Sequence, residues 1–546
     1  MNTYGKRIIV GLVALLAGLH SSAADAVWQW SVPTSAGRAY LWVPEKCKQV
    51  RAVVLAQNNM IERGILEHPQ FRATLSKLGM AEVFIVPSID PVYQFEKGAA
   101  EKFAGILSAL ATESGYGEIS SASIVPMGHS AHASFPWNFA AFNSDRTLAV
   151  LSLKGDAPLT DLTGSGRPNP DWGDRNLAGV PGLFVMSEYE WWEARLAPLL
   201  KYRAAHPGAP IALLADVGHG HFDATDSLVD FLTLFLRKAA AARLPKDGTG
   251  VLRRVDPAQG WLVDRWRGDE PPRAAAAPAS RYKGDRTEAF WCFDKEMARA
   301  TEAYYQTSRA KKIQQVSFVQ SGGFVPIANT HGGIELKFLP EADGLTVRLE
   351  ADFITPIPPP LRIATKDKRP ERTEVKPMQA APNTHASGPV RIVKIAGPLA
   401  EIATNTFRIA LDRMFSSQDQ RTGEVWLLAQ NPGDAHYKSA VQQALLKLPR
   451  NADGAAQTIN FELPASVSVK QKSVELRATS DAGLPVSYFV REGPGVIEGS
   501  TLRLTPIPPR AKFPIILTVV AWQWGRADEP KVQFAAPVER TIEITW

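Results

Sequence analysis

Only two cysteines, Cys47 and Cys292, occur in 546 residues. That excludes a disulfide-stapled scaffold and any metal centre built from cysteine. The two either pair across a long loop or stay apart as buried thiols, and separate thiols are the simpler expectation. Charge of one sign is lacking too: 61 basic against 55 acidic residues leave +6. Over this length that is a weak field, and nucleic acid is not an expected partner without a clustered basic face. No internal stretch reaches the about 20 apolar residues that an integral membrane span needs. No HExxH-like pair is present. A zinc site from His132, His219 and His221 is conceivable but lacks an ordered carboxylate, so neither metal nor cofactor is expected.

What is present is a globular composition, 45% hydrophobic and 21% charged, which excludes a disordered chain. At roughly 150 residues per domain, about three domains are expected. The sequence is rich in Trp (14) and in turn-formers, Gly (40) and Pro (41). This leans towards a secreted, β-rich, carbohydrate-facing protein. The start supports secretion. Lys6 and Arg7 precede an apolar run from Ile8 to Leu19, and Ala24-Asp25-Ala26 fits a cleavage site. Residues 1–26 therefore read as a signal peptide, and the mature chain is expected outside the cytoplasm, periplasmic or secreted.

From residue 27 to 245, short β-branched runs alternate with helical patterns. Strands are expected at Ala52–Ala56, Val83–Pro87, Ile124–Met127, Leu148–Leu153, Leu183–Met186 and Ile211–Leu214. Helices are expected at Glu67–Leu78, Ala99–Thr112, Trp191–Ala205 and Ser227–Ala241. Such alternation implies an α/β domain with a mostly parallel sheet. Val27–Val32 and Arg38–Val43 read as an antiparallel pair at its edge. Ligands of such sheets bind at the carboxyl ends of the strands.

Three strand ends carry chemistry. After Ser123–Met127 comes Gly128-His129-Ser130-Ala131-His132. Gly-x-Ser between strand and helix is the front of a nucleophile elbow, although His132 replaces the final glycine. After Leu183–Met186 come Glu188 and Glu190. After Ile211–Leu214 comes Gly218-His219-Gly220-His221-Phe222. The chain order Ser, acid, His, with each member after its own strand, is far more specific than any one motif.

These residues resemble the α/β-hydrolase family, in its group of secreted esterases and dienelactone-hydrolase-like enzymes. Pro181-Gly182-Leu183 leads to the acid turn in the family's register, with Glu190 at the acid position. Gly220-His221-Phe222 matches the family's histidine turn. The resemblance covers residues 27–245 and implies Ser130 as nucleophile, His221 as base and Glu190 as acid. Glu188 stays open as the alternative acid and His219 as the alternative base. The oxyanion donors expected are the backbone N–H of Ala131 and of Asn58, the latter chosen over Gln57. His129 and His132 read as packing or pocket-lining residues. Trp137, Trp191 and Trp192 are expected to bind substrate, with Trp172 nearby, and the turn-rich insertion 164–170 to shape the cleft.

Residues 246–284 read as a linker or extension, with Gly260–Trp266 packing back on the first domain. Residues 285–460 read as β-rich and of unknown family. Their excursion 356–389 holds 8 prolines. Residues 461–546 show short alternating strands at about ten-residue spacing, as in a β-sandwich. Gly483–Tyr488 and Gly499–Leu502 resemble bacterial immunoglobulin-like modules. No catalytic constellation is read after 245; that half is expected to supply spacing and stability, or glycan binding.

The functional expectation is a secreted serine hydrolase acting on acyl or methyl esters of a polysaccharide. Two alternatives stand: a serine peptidase or small-molecule ester hydrolase, and an inactive hydrolase scaffold used for glycan binding or adhesion.

Overall fold

The computed structural model describes residues 27–546 except 162, 192, 246–249, 328–332, 356–383 and 416–422. The expected signal peptide and most of the proline-rich excursion lie outside the described residues. Eight strands form one sheet: β1 (Trp30–Pro33), β2 (Arg38–Trp42), β3 (Ala52–Gln57), β4 (Met80–Val86), β5 (Ser123–His129), β6 (Val150–Leu153), β7 (Gly182–Ser187) and β8 (Ile211–Asp216). Their spatial order is β1-β2-β4-β3-β5-β6-β7-β8. β1 and β2 run antiparallel at one edge, and β3 to β8 are parallel. This is the α/β architecture expected.

Alternation along β3 explains the layers. Val53 and Leu55 face one core, while Ala52, Val54 and Ala56 face the other. The first core is covered by α3 (Ala99–Ser114), α4 (Ser134–Phe142) and α5 (Glu193–Ala205), the second by α1 (Glu62–Leu66), α2 (Pro69–Leu78) and α6 (Asp226–Arg243). Because both faces are covered, β3 is buried at every position.

The remainder is not strung out behind this unit. The segment read as a linker contains β9 (Trp261–Asp264) and β10 (Ala277–Pro278), which with β11 (Ala289–Cys292) make a three-stranded sheet. Trp266 is buried against Tyr305 on α7 (Lys295–Gln306), whose face joins the second core. The middle region holds several small sheets; in one, Glu424–Asn431 pairs antiparallel with Ala440–Lys447. At the C-terminal end, Ser466–Ser468, Val538–Thr545, Ile515–Trp522 and Ser487–Glu492 form a four-stranded sheet beside a three-stranded one. Residues from both share the core of the α3 face. Arg38 on β2 pairs with buried Glu492 at 2.7 Å. The second half is thus packed on the first rather than tethered to it.

Cys47 and Cys292 are separate and buried: the Cys47 thiol donates to Gln49 O, and Cys292 lies 3.9 Å from Thr301 Oγ1. Burial raises both thiols, Cys292 to about 12. Thiol titration should find two groups per chain in denaturant and none reacting quickly in the native protein. No reactive thiol in unreduced, denatured protein would mean that the two had paired.

Candidate active site

The β5–α4 turn is built to expose one hydroxyl. Ser130 takes φ +54°, a left-handed conformation that a non-glycine residue seldom adopts. Gly128 makes the turn possible, since a Cβ there would lie 2.1 Å from His132 O. Gly155, just past β6, is equally confined, with its Cβ position 2.3 Å from the Ala133 Cβ. His132, in place of the usual glycine, has room because its ring turns towards Glu62, 3.9 Å away.

Three strand ends converge on Ser130. Its Oγ lies 2.7 Å from His221 Nε2, and His221 Nδ1 lies 2.5 Å from Glu190 Oε2. The arrangement fits one tautomer: Ser130 donates to Nε2, and Nδ1–H donates to the carboxylate. His221 is buried, whereas the Glu190 side chain is 38% exposed.

The two alternatives occupy other places. Glu188 accepts from Gly218 N–H at 2.7 Å and Ser308 at 2.8 Å, and pairs with Lys438 at 2.7 Å. His219 Nδ1 meets Asp223 at 2.5 Å. Burial would lower the His219 pKa, but Asp223 and Asp216 reverse this and raise it.

Beneath the histidine loop lies buried charge that the sequence reading did not single out. Lys154 Nζ sits 2.7 Å from Asp216, 3.1 Å from Asp223 Oδ1, and 2.7 Å from Gly220 O. Burial opposes the ionised Asp223, yet Lys154 and His219 hold its carboxyl well below the usual range. His129 ties the end of β5 to the same loop, its Nε2–H donating to His221 O at 2.9 Å. Complete burial, with His221 close by, pushes its pKa well down, so it stays neutral. The only hint in the sequence was the dense His/Asp content of 216–223; nothing marked Lys154.

The expected oxyanion donors need one correction. Ala131 follows Ser130 in the turn, as expected, and the 164–170 insertion lies against it, with the Gly164 Cβ position 3.3 Å from Ala131 Cα. Asn58 does not qualify. Its N–H donates to Ile85 O at 2.8 Å, because the parallel ladder with β4 continues one residue past β3. The next residue, Asn59, holds the elbow instead, its Nδ2 donating to His129 O at 2.8 Å.

The tryptophans also divide. Trp137 is 1% exposed, donates to Asp156 O and packs its ring against Gly182. Trp172 is likewise buried, donating to Asn138. Both are core residues, not a binding platform. Trp191, half-buried beside Glu190, donates to Glu193. Trp192 lies outside the described residues. Among the described residues there is no cluster of three or more His, Cys, Asp or Glu suited to a metal ion, and no helix long and apolar enough to cross a membrane.

No family model and no curated protein matches this chain. Solved structures do. An S-formylglutathione hydrolase from Agrobacterium tumefaciens is 16% identical, with 39% of this chain and 93% of that chain covered and a TM-score of 0.29. An acetyl ester-xyloside bifunctional hydrolase from Caldicellulosiruptor lactoaceticus is 12% identical, covering 37% and 84%, with a TM-score of 0.24. Human protocadherin-24 EC1-2 is 17% identical, covering 29% and 83%, with a TM-score of 0.14. Likeness at this level transfers no activity.

Glu62, at the start of α1, clamps the elbow. Completely buried, it accepts from His129 N–H and Met60 N–H at 2.9 Å each, and from Asn59 N–H at 3.3 Å. Burial outweighs these donors and pushes its pKa up to about 7 from 4.5. The folded chain therefore binds this proton more tightly than the unfolded chain. The resulting stability is full below about pH 4.5 and is lost as pH rises through about 7. Glu62→Gln should accordingly cost more in thermal midpoint at pH 5 than at pH 8; an equal cost at both would contradict this. Trp137→Ala should cost about 3–5 kcal/mol in chemical unfolding, as a core truncation does. A loss of substrate affinity with unchanged stability would return Trp137 to the binding surface.

Proposed function

We propose that this protein is a serine hydrolase that cleaves carboxylic esters through an acyl-enzyme. The observation that carries the reading is the unbroken chain from Ser130 Oγ through His221 to Glu190, at 2.7 and 2.5 Å, assembled from three separate strand ends. Ser130 attacks the ester carbonyl while its proton passes to His221 Nε2. Glu190 holds the ring in the required tautomer and stabilises the imidazolium. The proton then goes to the departing alkoxide, and water repeats the sequence on the acyl-enzyme to release the acid. Ala131 N–H is assigned as the first oxyanion donor. Asn59 replaces Asn58 as the donor from the β3 loop, exchanging its 3.3 Å N–H bond to Glu62 for the oxyanion. Substrate approaches past the 164–170 insertion.

The finer reading is an acyl or methyl ester on a polysaccharide, cleaved outside the cytoplasm. It draws on the signal-like start and on Trp191 beside Glu190, and it has lost the support of Trp137 and Trp172.

Ser130→Ala and His221→Ala should each lower kcat on a nitrophenyl acetate by about 10⁴-fold or more, and Glu190→Gln by about 10³–10⁴-fold. Wild-type turnover in Ser130→Ala would dismiss the reading. A nitroanilide substrate separates peptidase from esterase, and a panel of acetylated, methylated and feruloylated glycans tests the finer reading. A wild-type protein that binds a glycan but turns over no ester would favour the inactive scaffold.

A further inference from the structure

The β-rich region was expected to supply spacing and stability or glycan binding, yet it reaches both loops that carry Glu190 and His221. Lys438 and Ser439 lie between the paired strands Glu424–Asn431 and Ala440–Lys447. Lys438 Nζ is 2.7 Å from Glu188 Oε1 and 2.9 Å from Asp269. Ser439 Oγ donates to Gly218 O, and Tyr189 OH donates to Ser439 O. Gly218, at φ +76°, permits this approach: a Cβ there would lie 2.3 Å from Ser439 Oγ. Farther along the same strands, Trp426 packs against Phe222, with ring centroids 5.1 Å apart and the planes tilted by 42°.

Glu188 is the joint in this arrangement. It shares one short helical turn with Glu190, so a displacement of that turn carries both residues. Its Oε2 accepts the Gly218 N–H at 2.7 Å, three residues before His221. Two further bonds stitch the same loops: Tyr189 N–H to His219 O at 3.1 Å, and Ser187 Oγ–H to Gly220 O at 2.6 Å. Lys438 and Glu188 are only 3% and 11% exposed. Without Lys438, a buried carboxylate would lose its counter-charge, and the turn would have to shift to rehydrate it. A shift of about 1 Å in a catalytic group costs roughly 10²-fold in rate.

We propose that Glu188 and Lys438 form a positioning pair that sets the distance between Glu190 and His221, so that the β-rich region is a working part of the hydrolase site. The proposal rests on the Ser130–His221–Glu190 reading given above. Both residues act through others, and neither is assigned contact with substrate.

The test uses the full chain and a nitrophenyl acetate. Lys438→Met should lower kcat by about 10²-fold with KM unchanged. Lys438→Arg should recover most of the loss. Glu188→Gln with Lys438→Met should lose no more than Lys438→Met alone, because the two residues act as one unit. Glu492→Gln removes another inter-region pair, with Arg38 at the opposite edge of the sheet; it should lower the thermal midpoint and leave kcat intact. The proposal is overturned if Lys438→Met keeps wild-type kcat, or if Glu492→Gln loses kcat to the same extent. If Lys438→Met does not fold, Glu188→Gln decides: reduced kcat at unchanged KM supports the pair, and wild-type kcat overturns it. Ser130→Ala separates the two levels. Turnover surviving in Ser130→Ala removes the hydrolase reading itself, whereas its loss alongside a fully active Lys438→Met removes only the positioning pair.

Discussion

Lys154 Nζ lies buried between Asp216 and Asp223, under the loop that ends in His221. A buried ammonium of this kind is tolerated only when its counter-charges and carbonyls are fixed around it. Here they are fixed by the loop itself: Asp216 ends β8, and Gly220 and Asp223 flank His221. These contacts hold the loop that brings His221 to Ser130. Asp216 also accepts from Tyr304 of α7, and Glu188 from Ser308 just beyond it. These contacts draw the start of the 285–460 region into the same structure as the histidine loop.

A second constraint acts from the other side of Ser130. Glu62 gathers backbone donors from the β3 loop and from His129, and His129 in turn holds His221 O. His129, directly before Ser130, and the loop of its partner His221 are thus tied by buried polar contacts. The strained φ of Ser130 persists because the turn is over-determined by Gly128, Gly155 and these contacts. Such pre-organisation suits chemistry in which a weak nucleophile must meet its base without rearrangement.

Much of this was legible in the sequence, for physical reasons. Strands covered on both faces must be apolar throughout, so β3 to β8 stood out as β-branched runs. The amphipathic helices α2, α3, α5 and α6 showed their periodicity. By contrast α4, Ser134–Phe142, had no delimitable pattern, because nearly all its residues are buried. The strand Ala440–Lys447 reads AVQQALLK, a composition equally at home in a helix, and only its pairing with Glu424–Asn431 makes it β. The strands of the 246–284 segment are two to four residues long, too short to show alternation. At the site, chain order pointed to Ser130, Glu190 and His221 as the residues brought together. Asn58 went wrong because the end of a ladder depends on register, which sequence does not display. Trp137 went wrong because a tryptophan near a strand end packs inward as readily as it faces a ligand.

The central claim is that Ser130 is a nucleophile made reactive by His221 and Glu190. The most direct measurement is peptide-mapped mass spectrometry after treatment with an organophosphonate ester. The account predicts a single stoichiometric adduct on the peptide containing Ser130, absent when His221 is replaced by alanine. An unmodified native protein, or an adduct at another serine with Ser130 untouched, would contradict it.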